Sequence, residues 1–153
     1  MTDPMTEALA ADETAIHVDE FLPYPPEHLW RVLTDSRALA EWLMPNDFEP
    51  RVGHRFTFRT DPVPGTEFDG IVACEVLALE PPHLLRISWA GGPDLDTTVT
   101  WRLEPEGTGT RLFLDHEGFQ PGHPGQQFAR QVMGGGWTSH ILAQLRATLE
   151  AAA

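Results

Sequence analysis

Between Thr14 and Phe21, apolar Ile16 and Val18 alternate with polar His17 and Asp19, a period of two that predicts a half-buried strand. Pro23, Pro25 and Pro26 end it. Proline suits the first turn of a helix, and Glu27 complements the positive end of the helix dipole. Leu29, Trp30 and Leu33 then form one apolar helical face directed at the sheet. Asp35-Ser36 reads as a break with a new N-cap, followed by a second short helix carrying Leu39, Trp42 and Leu43 and stopped by Pro45 and Asn46.

Strands fill the next seventy or so residues, with turn signals at the short intervals of an antiparallel meander. Arg51 to Arg59 places Phe56 and Phe58 on one face and Arg55, Thr57 and Arg59 on the other. Asp61 to Thr66 is a loop, and Phe68 to Glu80 a long strand bent near Gly70. Pro81-Pro82 and Gly91 to Asp96 are turns flanking a strand whose Leu85, Ile87 and Trp89 share a face. Val99, Trp101 and Leu103 alternate with Thr100 and Arg102, and Leu112, Leu114 and His116 line one side of the final strand. After the loop Gly118 to Gly125, Gln126 to Met133 can begin a last helix, which Gly134, Gly135 and Gly136 interrupt at up to ~1 kcal/mol each relative to Ala if helical. Trp137, Ile141, Leu145 and Leu149 stand at four-residue spacing with Leu142 beside them, a stripe that presses on the sheet.

With 153 residues the chain holds one domain with a real core, expected over 14–150 behind a frayed tail at 1–13. The tail lacks the basic start of a secretory signal, and no apolar run approaches the ~20 residues that span a bilayer. A net charge of −13 argues against a nucleic-acid backbone or an anionic membrane surface as partner. One cysteine rules out a disulfide within the chain and fits a reducing cytoplasm. All ten basic residues are arginine, so no lysine Schiff base can form; the abundance of Ala, Pro, Gly and Arg suggests a GC-rich bacterial source.

The segments PPEHLWRVLTD and EWL resemble the START-like SRPBCC superfamily, in the branch similar to the C-terminal domain of the heat-shock-protein-90 ATPase activator. Val52-Gly53 before a Phe-rich strand, Gly70, Pro81-Pro82, His116-Glu117-Gly118-Phe119 and Gly136-Trp137 carry the same resemblance, which spans roughly 14–150. It implies an α+β helix-grip fold, birch-pollen-allergen-like, with a curved antiparallel sheet wrapped around a long C-terminal helix and two short helices after the first strand. It also implies a cavity between sheet and helix. The superfamily carries transport, cyclisation, hydrolysis, sequestration and chaperone regulation on one scaffold, so no shared catalytic motif transfers.

The expected function is therefore burial of a small apolar or amphipathic molecule in that cavity, without a cofactor. The expected lining is Trp42, Phe56, Phe58, Phe68, Trp89, Trp101, His116, Trp137, His140 and Ile141. His116 faces inward by alternation and His140 lies beside the buried stripe, so the pair is expected to orient a polar ligand group. Two rivals stand beside this: a cyclase, dehydratase or hydrolase using the same histidines near neutral pH, and a protein-interaction or chaperone co-regulator module. Homodimerisation is left open. Zinc is not expected, because the seven histidines show no HxxxH or HxH spacing and only a favourable loop brings His116, Glu117 and His123 together. Cys74, between Val72 and Val76, reads as a small core residue, Arg51, Arg55 and Arg59 as outward charges, and Asp47, Glu67, Asp69, Asp94 and Asp96 as loop surface charge.

Overall fold

A computed structural model describes residues 12–62, 64, 68–91 and 95–153. The expected tail before Asp12, much of the expected loop at 61–66, Glu67, Asp94 and part of the turn at 91–96 lie outside the described residues. The strands are β1 (Ala15–Leu22), β2 (Arg55–Arg59), β3 (Ile71–Glu80), β4 (Leu84–Trp89), β5 (Thr97–Glu106) and β6 (Gly109–Glu117). They form one antiparallel sheet in the order β1-β6-β5-β4-β3-β2. Helices α1 (Pro26–Leu33) and α2 (Ser36–Trp42) fill the long crossing from β1 to β2 at the opposite edge. Helix α3 (Pro124–Gly135) continues through a π-helical turn, Gly136–His140, into α4 (Ile141–Ala151). This is the helix-grip architecture.

The inward face follows the alternation of every strand. Phe56 and Phe58 of β2, Val72, Cys74 and Val76 of β3, and Leu85, Ile87 and Trp89 of β4 are buried. So are Thr97, Val99, Trp101 and Leu103 of β5, with Leu112, Leu114 and His116 of β6. Register makes these one surface: Trp101 stands opposite both Leu85 and Leu114, and Val99 opposite both Ile87 and His116. Arg55 and Arg59 are exposed, as parity requires, while Arg51, expected in the same strand, is exposed in the turn before β2. The bend before β3 needs Gly70, whose φ is +88° and whose hypothetical Cβ would stand 2.2 Å from the Thr60 carbonyl oxygen.

Local chemistry sets the helix ends. Pro26 occupies the first turn of α1, and Asp35 caps α2 by accepting the Ala38 amide at 3.0 Å. The Trp42 indole donates to the Val32 carbonyl at 3.2 Å, which ties α2 to α1. Buried His28 on α1 donates from Nε2 to the Leu149 carbonyl at 2.9 Å, satisfying one of the orphan carbonyls near the end of α4. His123 caps α3, accepting the Gln126 amide at 3.1 Å.

The three glycines do not break the last helix. Gly135 (φ −63°, ψ −41°) and Gly136 (φ −61°, ψ −52°) are right-handed helical. The helix instead gains one residue in the π-turn, and that shifts its buried stripe. Burial passes from Trp137 to Leu142, five residues on, and then to Leu145 and Leu149. Ile141 is left half-buried and His140 exposed, which corrects the four-residue stripe expected from the sequence. Carbonyl groups near the π-turn are taken up by side chains: Thr138 donates to the Gly134 carbonyl at 2.7 Å, and Ser139 donates to that of Gly135.

Candidate functional site

Where the π-turn meets the sheet, Trp137 enters a cluster of rings. Its ring lies 5.8 Å from Trp89, 6.0 Å from Trp101 and 6.2 Å from His116, each pair tilted or edge-on. Phe58 extends the cluster from Trp89 at 5.5 Å, and Phe119 closes on His116 at 4.8 Å. Edge-to-face contacts of this kind add ~0.5–1.5 kcal/mol each beyond area burial. They make a stiff aromatic wall between the sheet and the C-terminal helix.

A chain of hydrogen bonds runs through the wall. Trp137 Nε1–H can only donate, and it donates to His116 Nδ1 at 3.2 Å. The single proton of neutral His116 is therefore on Nε2, which donates to Thr97 Oγ1 at 2.8 Å. Thr97 in turn donates to the Trp89 carbonyl at 2.9 Å. Both imidazole nitrogens are thus committed within the protein. Burial drives the His116 pKa down from 6.5 to about 3, so the ring stays neutral across the physiological range.

The two-histidine arrangement expected from the sequence does not form. His140 is turned outward by the extra residue of the π-turn, and His116 serves as a fixed relay between Trp137 and β5. Neither is placed to act as an acid–base partner of the other near neutral pH.

The remaining expected residues divide by position. Phe58, Trp89, Trp101 and Trp137 come together in the wall. Phe56 is buried further out, edge-on to Phe48 at 5.2 Å, and Trp42 is tied to α1. Phe68 is half-buried just before β3. Cys74 is a buried thiol whose pKa rises from 9.0 to about 12, through burial first and the Asp47 charge second, which makes it inert as a nucleophile. Asp47 and Asp69 accept the backbone amides of Thr57 (2.8 Å) and Ile71 (3.0 Å), holding loops rather than facing each other.

Among the described residues, one buried side-chain polar atom lacks a hydrogen-bond partner: Trp89 Nε1. Trp89 is 3% exposed, and a buried donor left unpaired costs about 1–3 kcal/mol. The nitrogen lies beside Gly91, where a Cβ would stand 3.6 Å from it, 3.6 Å from Phe68 Cε1 and 3.1 Å from Val72 Cγ2. The sequence marks Trp89 as a wall residue only. The alternation that buries its ring is legible, but the direction of the indole N–H depends on a side-chain rotation that alternation does not encode.

Residues 23–150 match the family described as Activator of Hsp90 ATPase homolog 1-like protein. Among solved structures, protein MLL2253 from Mesorhizobium loti is 37% identical with a TM-score of 0.78; the match covers 90% of this chain and 97% of that one. Protein BH1534 from Bacillus halodurans is 25% identical with a TM-score of 0.73, covering 88% and 96%. CalU16 from Micromonospora echinospora is 25% identical with a TM-score of 0.70, covering 88% and 75%. The chain matches none of the curated proteins.

Proposed function

The chain belongs to the family of Activator of Hsp90 ATPase homolog 1-like proteins, within the START-like superfamily, and from that premise we propose that it binds a small apolar or amphipathic molecule between sheet and C-terminal helix. The observation that carries the reading is the unpaired indole donor of Trp89 in an otherwise satisfied aromatic wall. A buried donor held without a partner makes sense where a guest supplies the acceptor.

The rings of Phe58, Trp89, Trp101 and Trp137 offer the apolar surface, with His116 holding Trp137 at its angle. Roughly 200 Å² of guest surface removed from water contributes about 5 kcal/mol before the costs of association. Native mass spectrometry of the protein mixed with a polycyclic aromatic or a fatty acid tests this. A one-to-one adduct with either is expected, and the unliganded mass alone with both contradicts the reading.

One observation favours the interaction-module reading. Phe128 and Val132, one turn apart on α3, are each 58% exposed. The chain is acidic overall, yet it has no Asp or Glu between Glu117 and Glu150. An exposed apolar pair on an acid-free helix suits a protein partner or a second copy. Sedimentation of the wild type against Phe128→Ser/Val132→Ser tests the second copy: a dimer lost in the variant supports it, and monomers in both contradict it.

A further inference from the structure

We propose that the guest is recognised through a neutral hydrogen-bond acceptor, a carbonyl or ether oxygen on a flat apolar body, received by Trp89 Nε1 beside Gly91. This rests on the ligand-binding reading above and adds the chemical class.

Three observations define the class. The donor is an indole N–H, which gives one hydrogen bond and accepts none, so a guest hydroxyl or amine gains nothing from donating there. Among the described residues, the buried polar ones are His28, Thr97, Thr100, Thr110, His116, Gln126 and Thr148, with no arginine among them. His116, the titratable group in ring contact with Trp89 at 5.5 Å, has both nitrogens bonded within the protein. A carboxylate would therefore be desolvated with no cation to receive it, whereas an uncharged acceptor needs only the indole. The third observation is the glycine. Gly91 has no positive φ that would demand it, yet a Cβ there would stand 3.6 Å from the nitrogen and 3.1 Å from Val72 Cγ2, so the bare backbone keeps a side chain out of the narrow space beside Nε1. The surrounding tilted rings favour a planar body.

The test uses matched tricyclic probes on the full chain: fluorene, 9-fluorenone and fluorene-9-carboxylate at pH 7.5. Affinities come from calorimetry, and the Trp89 indole signal is followed in ¹⁵N-labelled protein, assigned by its loss in Trp89→Phe. Fluorenone is expected to bind about threefold to tenfold tighter than fluorene, the range one net hydrogen bond provides, and the carboxylate weaker than both. Its binding should move the Trp89 N–H signal downfield. Trp89→Phe should lose the preference for the ketone over fluorene, read as the ratio of the two affinities. Gly91→Ala should lose that preference with every tryptophan in place, which keeps the test decisive if Trp89→Phe fails to fold. Equal binding of fluorene and fluorenone by the wild type, or an unmoved Trp89 signal, overturns the acceptor class while the ligand-binding reading survives. No binding of any probe overturns both.

Discussion

His116 joins the helix to the sheet through both of its nitrogens, so its protonation is unfavourable in the folded protein. The unfolded chain binds a proton at this residue below about pH 6.5, while the folded chain does not until about pH 3. Between those values the unfolded state holds the extra proton, so stability rises with pH and falls on acidification by about 1.4 kcal/mol per pH unit from this group. Urea unfolding at several pH values between 7.5 and 4.5 should show that slope in the wild type and a shallower one in His116→Phe. Parallel profiles contradict the assignment. Trp137→Phe keeps a ring in the wall but leaves His116 Nδ1 without a donor, and should cost about 1–3 kcal/mol in the same measurement. The inward position of His116 was legible from the alternation Leu112, Leu114, His116. Its occupation at both nitrogens was not, because Thr97 and Trp137 are far from it in sequence and reach it only through strand register and the helix turn.

Among the elements, the six strands, the two short helices and the closing helix follow directly from period, proline and cap signals, and strand parity places Phe56, Phe58, Trp89 and Trp101 inward, whereas Phe68, expected to open the third strand, lies before it and is half-buried. The C-terminal helix departs from expectation for a single reason: one inserted residue. Four-residue spacing assumes an unbroken α-helix, and the π-turn exchanges Ile141 for Leu142 on the buried face while sending His140 to solvent. Deleting Ser139 should bring Trp137 and Leu142 to four-residue spacing in a regular α-helix. The deletion variant should stay folded, within about 1–2 kcal/mol of the wild type by urea unfolding. Collapse of the fold would mean that the π-turn is required by more than its phase. At Gly135 a Cβ meets nothing within 4 Å and the backbone is already helical. Gly135→Ala should therefore stabilise by about 1 kcal/mol, visible as a raised Tm. The glycines were expected as an interruption because propensity is local, whereas packing of Trp137, Leu142, Leu145 and Leu149 holds the helix through them.

For the whole molecule, the resemblance of PPEHLWRVLTD, EWL and the later segments led to the family that residues 23–150 match. Fold was more legible than site because fold is written in periodicity repeated over many residues. A site depends on single rotations such as that of the Trp89 indole. Among the described residues no helix is long and apolar enough to cross a membrane. The central question for the molecule is whether the aromatic wall receives a guest. The most direct measurement is tryptophan fluorescence of the wild type and Trp137→Phe, titrated with a fatty acid and with a polycyclic aromatic. Saturable one-to-one quenching by at least one of them is expected, with a weaker affinity in Trp137→Phe. Fluorescence that neither compound changes in a saturable way would contradict it.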